Sequence, residues 1–174
     1  MSQSIPQIAT IKNQWLYQQV DVEFPTQESL QGKEIYKRWA DGVTYQSIDN
    51  TLLQSYLSSE PTSLEIYKVD FHRLTVMFSL LQANRWQNES DQQLIIEFLT
   101  QIIYSDPCEL FLAFEHNEPV AAAIVTDSEQ DLLVSDIYVA EKTTERREEF
   151  IKALLAFSDN SARLATKQTL YIEN

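Results

Sequence analysis

Leu110-Phe111-Leu112-Ala113-Phe114-Glu115-His116-Asn117-Glu118-Pro119-Val120-Ala121-Ala122-Ala123-Ile124-Val125 is two apolar runs joined by five polar or turn-forming residues. Each run has strand length, so the segment predicts a hairpin with its turn at 115–119. A second polar turn at 126–131 and a third apolar run at 132–139 extend it to a β-meander. Downstream, a charged link at 141–147 leads into a helix carrying Phe150, Ile151, Leu154, Leu155 and Phe157. A last strand holds Thr169, Leu170, Tyr171 and Ile172.

Upstream of the meander the period lengthens. Leu94, Ile95, Phe98, Leu99, Ile102 and Ile103 predict a helix, with Ser90 and Gln93 as a capping box and Asp106-Pro107 as its stop. Leu74, Met77, Phe78 and Leu81 predict another, with Asp70 as N-cap. Leu64, Ile66 and Val69 make a short strand. The polar stretch 58–63 is the one candidate boundary, dividing an N-terminal extension, 1–62, from a core, 63–174. Within the extension, 45–57 reads as a helix. A shorter helix runs from Glu28 to a stop at Asp41-Gly42, and the alternation over 7–24 reads as one or two strands.

The 174 residues can bury a single core, and 44% apolar content with 11% aromatics excludes disorder over most of the length. Only two glycines are present, which argues against glycine-dependent phosphate loops. A net charge of −13 repels nucleic acid and anionic lipid, so neither is an expected partner. Cys108 is the only cysteine, and it is flanked by Asp106 and Glu109, which disfavour a thiolate. His72 and His116 are far apart, and no metal site is expected. No apolar run is long enough to span a membrane and 1–6 is unlike a secretory leader, so the expected compartment is the cytoplasm.

From residue 64 onward the order strand, helix, helix, three strands, helix, strand resembles the core of the GNAT N-acetyltransferase superfamily. The hairpin 110–122 is similar to that family's second hairpin, and Asp136-Ile137-Tyr138-Val139 to its fourth strand. The resemblance implies an α+β or mixed α/β fold: a GNAT-like central mixed β-sheet flanked by helices, here with an N-terminal strand-helix extension. It implies that the fourth strand parts from the fifth, and that backbone groups near Ile137 and Val139 meet an acyl-CoA thioester. Setting Leu154-Leu155 on the family's apolar pair puts Arg146 on the first position of its pyrophosphate loop. Glu149 and Ile151 then stand where small residues belong. One like-charge pair at about 4 Å, with an effective dielectric near 20, costs roughly 4 kcal/mol. The family continues beyond its fifth strand, so the expectation is either a trimmed sheet or one whose vacated edge is taken by 7–24.

Two sites follow. Arg146 and Arg147 are the one adjacent basic pair near that loop, either phosphate contacts or a helix start paired with Glu145, Glu148 or Glu149. Asp136 is a carboxylate in an apolar strand, either a general base with a raised pKa or a half-exposed strand residue. Tyr138 is its ionisable neighbour, with the same ambiguity between catalysis and a strand-edge role. Three function readings result. The first is a divergent GNAT-like protein without efficient acetyl-CoA-dependent catalysis, working through a protein partner or small ligand. The second is an active N-acyltransferase using acetyl-CoA or another acyl-CoA. The third is a structural or oligomeric module, such as a homodimer whose second subunit completes the sheet.

Overall fold

The computed structural model describes residues 4–57 and 61–174. The boundary expected at 58–63 falls partly on residues 58–60, outside those described. The strands are β1 (Tyr45–Ile48), β2 (Glu65–Lys68), β3 (Cys108–Glu115), β4 (Glu118–Asp127), β5 (Asp131–Val139) and β6 (Thr169–Glu173). They form one sheet in the order β1-β6-β5-β4-β3-β2. Every pairing is antiparallel except β5 with β6, which is parallel. The helices are α1 (Gln7–Tyr17), α2 (Gln27–Ala40), α3 (Asn50–Leu57), α4 (His72–Ala83), α5 (Glu89–Leu99), α6 (Thr144–Ala156) and α7 (Ser158–Leu164).

The meander is the centre of the sheet, as expected, with a tighter first turn. His116 and Asn117 alone join β3 to β4, with φ of 51° and 66°. Two consecutive left-handed residues match the twist of the flanking strands, and Asn tolerates this conformation better than most side chains. Alternation along the strands then separates two cores. Leu110, Leu112, Ala122, Ile124 and Tyr138 meet Phe78, Ile95, Phe98 and Tyr36 on one face. Phe111, Ala123, Val125, Leu132 and Val134 meet Phe150, Ile151, Leu154 and Leu155 on the other.

Two N-terminal expectations are overturned. Residues 7–17 are helix α1, followed by a single 3-10 turn, Gln18–Val20, not strands. Ile8, Ala9, Lys12, Trp15 and Leu16 are its buried positions, at helical spacing. Because one of them is a lysine, the apolar stripe looks broken, and strand-like alternation stands out instead. Residues 45–48 are a strand, not the start of a helix; Tyr45 and Ile48 are its buried ends. β1 pairs with β6, so 45–48, and not 7–24, lines that edge of the sheet. The helix caps also shift: Asn88 caps α5 in place of Ser90, Phe71 precedes α4 in place of Asp70, and α5 ends at Leu99.

α2 and α5 touch through Gly32. A Cβ there would lie 2.0 Å from the Leu94 carbonyl oxygen and 2.8 Å from Phe98 Cβ. Gly32→Ala must therefore push two helices apart. Despite the better helix propensity of alanine, it is expected to destabilise the fold by about 1–3 kcal/mol. Urea unfolding checks this; an unchanged midpoint would refute the close approach.

Candidate functional site

β5 and β6 stay paired only through Val134 and Ile172, then separate. On its other side β5 bulges: Ser135 faces Ile124 and Tyr138 faces Ala122, leaving Asp136 and Ile137 together opposite one residue. Asp136 has φ 53°, the left-handed conformation that opens one type of bulge. The bulge breaks the alternation assumed from sequence and turns the Asp136 carboxylate towards α1 and α2.

Asp136 is 2% exposed and Lys12 1%. Lys12 Nζ lies 2.8 Å from Asp136 Oδ1, and Ser135 Oγ donates to the same oxygen at 2.8 Å. The Tyr36 hydroxyl donates to Oδ2 and accepts from Lys12 Nζ at 2.7 Å. Burial alone pushes the Asp136 carboxyl up, but the Lys12 charge and the hydrogen bonds from Lys12 and Tyr36 reverse this. The carboxyl is held below its ordinary value. The expected general base with a raised pKa is therefore corrected: Asp136 is a saturated carboxylate inside a buried ion pair.

The backbone of the bulge is saturated as well. Gln82 Nε2 donates to the Asp136 carbonyl at 2.6 Å. Arg85 donates to the Ile137 carbonyl at 3.1 Å and to Gln82 Oε1 at 2.6 Å, with its guanidinium 4.3 Å from the Trp39 ring centre. The Ile137 N–H, which points into the gap between the parted strands, donates to Glu173 Oε2 at 2.9 Å. Arg147 donates to the Glu173 carbonyl. Glu173 is buried, and that burial, with the charge of Asp136 and against the pull of Arg85, pushes its carboxyl up to about 6.

The remaining candidates disperse. Tyr138 is buried in the core beside α4, with Lys142 Nζ 5.9 Å from its ring centre. Val139 is buried against the α6 side, and Ile137 is half-buried at the gap. Arg146 and Arg147 point to different places. Arg146 pairs with Glu115 at 2.8 Å and with Glu149 at 3.1 Å, while Arg147 faces Glu173. Glu149 also accepts from Thr62 Oγ1 at 2.7 Å, and Ile151 is fully buried. Cys108 is buried and its thiol is pushed up to about 12 by that burial, against the pull of the Thr126 hydrogen bond and the Lys12 charge, and not by the flanking Asp106 and Glu109 as expected. Among the described residues no three His, Cys, Asp or Glu side chains cluster as metal ligands, and no helix is long and apolar enough to cross a membrane.

Lys12, Tyr36, Gln82, Arg85 and Glu173 were missed from sequence. Lys12 was detectable as the one charged residue on a helical stripe with Ile8, Trp15 and Leu16. Arg85 and Glu173 carry no local signal, because only the bulge and the parted strands give them partners.

Two consequences are measurable. Lys12→Met leaves Asp136 as an uncompensated buried charge and is expected to cost about 3–5 kcal/mol at pH 7. In the native protein the Asp136 contribution is present above its unfolded value of 3.8 and disappears as pH falls through its lower folded value. In the variant the sign inverts, since protonation now relieves the charge; urea unfolding at pH 4 and pH 7 separates the two. Glu173 behaves oppositely to Asp136. Between about 4.5 and about 6 the folded state holds a proton that the unfolded state has lost, so stability falls as pH rises through that window. The loss is about 2 kcal/mol. Glu173→Gln keeps an acceptor for the Ile137 N–H, and is expected to raise stability at pH 7 by up to that amount and to flatten the slope. An unaltered slope would refute the assignment.

No protein-family model matches the chain, and no curated protein matches it. Solved structures do. A functionally unknown conserved protein from Staphylococcus epidermidis superposes with a TM-score of 0.51 at 13% identity, over 83% of this chain and 68% of that one. An aminoglycoside acetyltransferase from an uncultured soil sample gives 0.47 at 14%, over 64% and 79%. A ribosomal-protein-alanine N-acetyltransferase from Brucella melitensis gives 0.45 at 17%, over 64% and 79%. Likeness at these identities concerns fold alone. The chain's own topology carries the point further. From β2 onward it has the element order implied by the resemblance, except that a second helix, α7, not expected from the sequence, stands between α6 and β6; its parallel pair β5 and β6 part where that resemblance requires. The fold is mixed α/β and GNAT-like.

Proposed function

We propose that this chain is a GNAT-fold protein without efficient acyl-CoA-dependent catalysis, and that it acts by binding a small ligand or a protein partner. The observation that carries this reading is the Ile137 N–H held by the Glu173 carboxylate in the gap between β5 and β6. An acyl-CoA thioester in that gap would have to displace Glu173. A buried donor or acceptor left without its partner costs about 1–3 kcal/mol, more when it is charged.

The start of α6 supports the same reading. Pyrophosphate binding there needs backbone N–H groups within reach and cations free to turn towards them. Glu149 brings a carboxylate to that helix turn, Ile151 is committed to the core, and Arg146 is held by Glu115 and Glu149. These residues do not fit acyl-CoA. The net charge of −13 disfavours nucleic acid and anionic membranes as partners, and a cytoplasmic setting suits the one buried thiol.

Calorimetric titration with acetyl-CoA at physiological salt is expected to give no saturation in the low micromolar range. A low-micromolar dissociation constant would overturn the proposal and favour the N-acyltransferase reading. In that event, replacing Arg146 and Arg147 by Ala should weaken binding and flatten its salt dependence.

A further inference from the structure

We infer that the open notch beside the parted strands is a binding site for a small carboxylate with an apolar body, clamped by Arg85 and Arg147. The inference rests on the binding role proposed above and names the ligand class. The notch has a volume of about 350 Å³ and is lined by Trp39, Val43, Arg85, Ile137, Arg147 and Glu173, among others.

Four observations converge. First, Arg85 and Arg147 are both half-buried, and neither has a carboxylate within ion-pair distance among the described residues. In a chain carrying 26 acidic side chains, two such guanidinium groups on one notch, with Glu173 near Arg85 but not ion-paired to it, leave a position for an anion. Second, both keep donors free. Arg85 spends donors on Gln82 and the Ile137 carbonyl, and Arg147 on the Glu173 carbonyl, yet each guanidinium has five N–H groups. Third, Arg85 is fixed before any ligand arrives, by stacking on Trp39 and by those two hydrogen bonds. That lowers the ordering cost of binding. Fourth, beside a lining that is largely polar, Trp39, Val43 and Ile137 give the same notch an apolar patch, which a bare inorganic anion would not use.

Glu173 selects for a single charge. Its carboxylate forms part of the notch, so a dianion meets stronger repulsion than a monoanion. It also couples binding to protons. The groups facing Glu173 are Asp136 on β5, Arg85 after α4, Lys12 on α1, Tyr36 on α2, Tyr45 on β1 and Arg147 on α6. Asp136 is paired with Lys12 deeper in the core and does not line the notch, so Glu173 is the carboxylate that an incoming anion meets directly. Protonating it as pH falls from 7 to 5 should tighten binding.

Benzoate is a suitable probe, followed through the Trp39 and Trp86 indole N–H resonances of the full chain. A saturable shift is expected in the wild-type protein, tighter at pH 5 than at pH 7, with inorganic phosphate binding more weakly. Arg147→Gln should weaken benzoate about 10- to 100-fold, the range for losing a charge-assisted hydrogen bond. Val43→Trp should block the notch without touching either arginine, and Glu173→Gln should remove the pH dependence. Absence of a saturable benzoate shift, or wild-type affinity retained in Arg147→Gln and Val43→Trp, overturns the site. Phosphate binding tighter than benzoate overturns the carboxylate assignment. Low-micromolar displacement of benzoate by acetyl-CoA instead overturns the functional reading on which the site rests.

Discussion

The buried ion pair between Lys12 and Asp136 is the constraint on which the rest of the structure hangs. A lone buried charge is among the most costly things a fold can contain, and each of these two makes the other tolerable. The pair fixes α1 onto β5. Tyr36, bonded to both, fixes α2 to the same point. The left-handed backbone at Asp136 is retained because four groups, Lys12, Tyr36, Ser135 and Gln82, hold the residue through side chain and carbonyl alike. The bulge in turn opens the gap beside Ile137, so the shape of the candidate site is set by a side chain buried some distance inside it.

Where the chain obeys simple periodicity, the sequence was readable. The meander, α4, α5, α6 and β6 all follow from apolar spacing and turn residues, and the GNAT-like order of elements follows from them. Reading failed where one residue type served an unusual place. Lys12 inside the core disguised a helix as strands. In β1, buried ends three residues apart in a four-residue strand imitated a helical period. The site suffered most. Alternation put Asp136 on the wrong face, because a bulge adds a residue that no local pattern announces. Arg85 and Glu173 lie far from Ile137 in sequence and acquire meaning only from the sheet order.

The paired arginines illustrate a related limit. Arg146 and Arg147 are neighbours in sequence, yet consecutive positions on a helix point in different directions. One joins Glu115 and Glu149 on the surface, and the other reaches the β6 backbone. Treating them as one anion site joined two environments that the helix keeps apart.

The distance along the chain between partners has a consequence for the order of assembly. Tyr36 and Asp136 are 100 positions apart, and Lys12 lies further still from its counter-ion. While the chain is being made, α1 and α2 emerge long before the strand that neutralises their buried lysine. Until then docking of α1 would strand a charge in an apolar environment, so these helices gain nothing by settling early. The two hairpins of the meander are closed by short turns and can form first, at the smaller entropic cost of short loops. The N-terminal layer then closes over a surface already built, with the lysine acting as a lock that engages only when the bulge is in place.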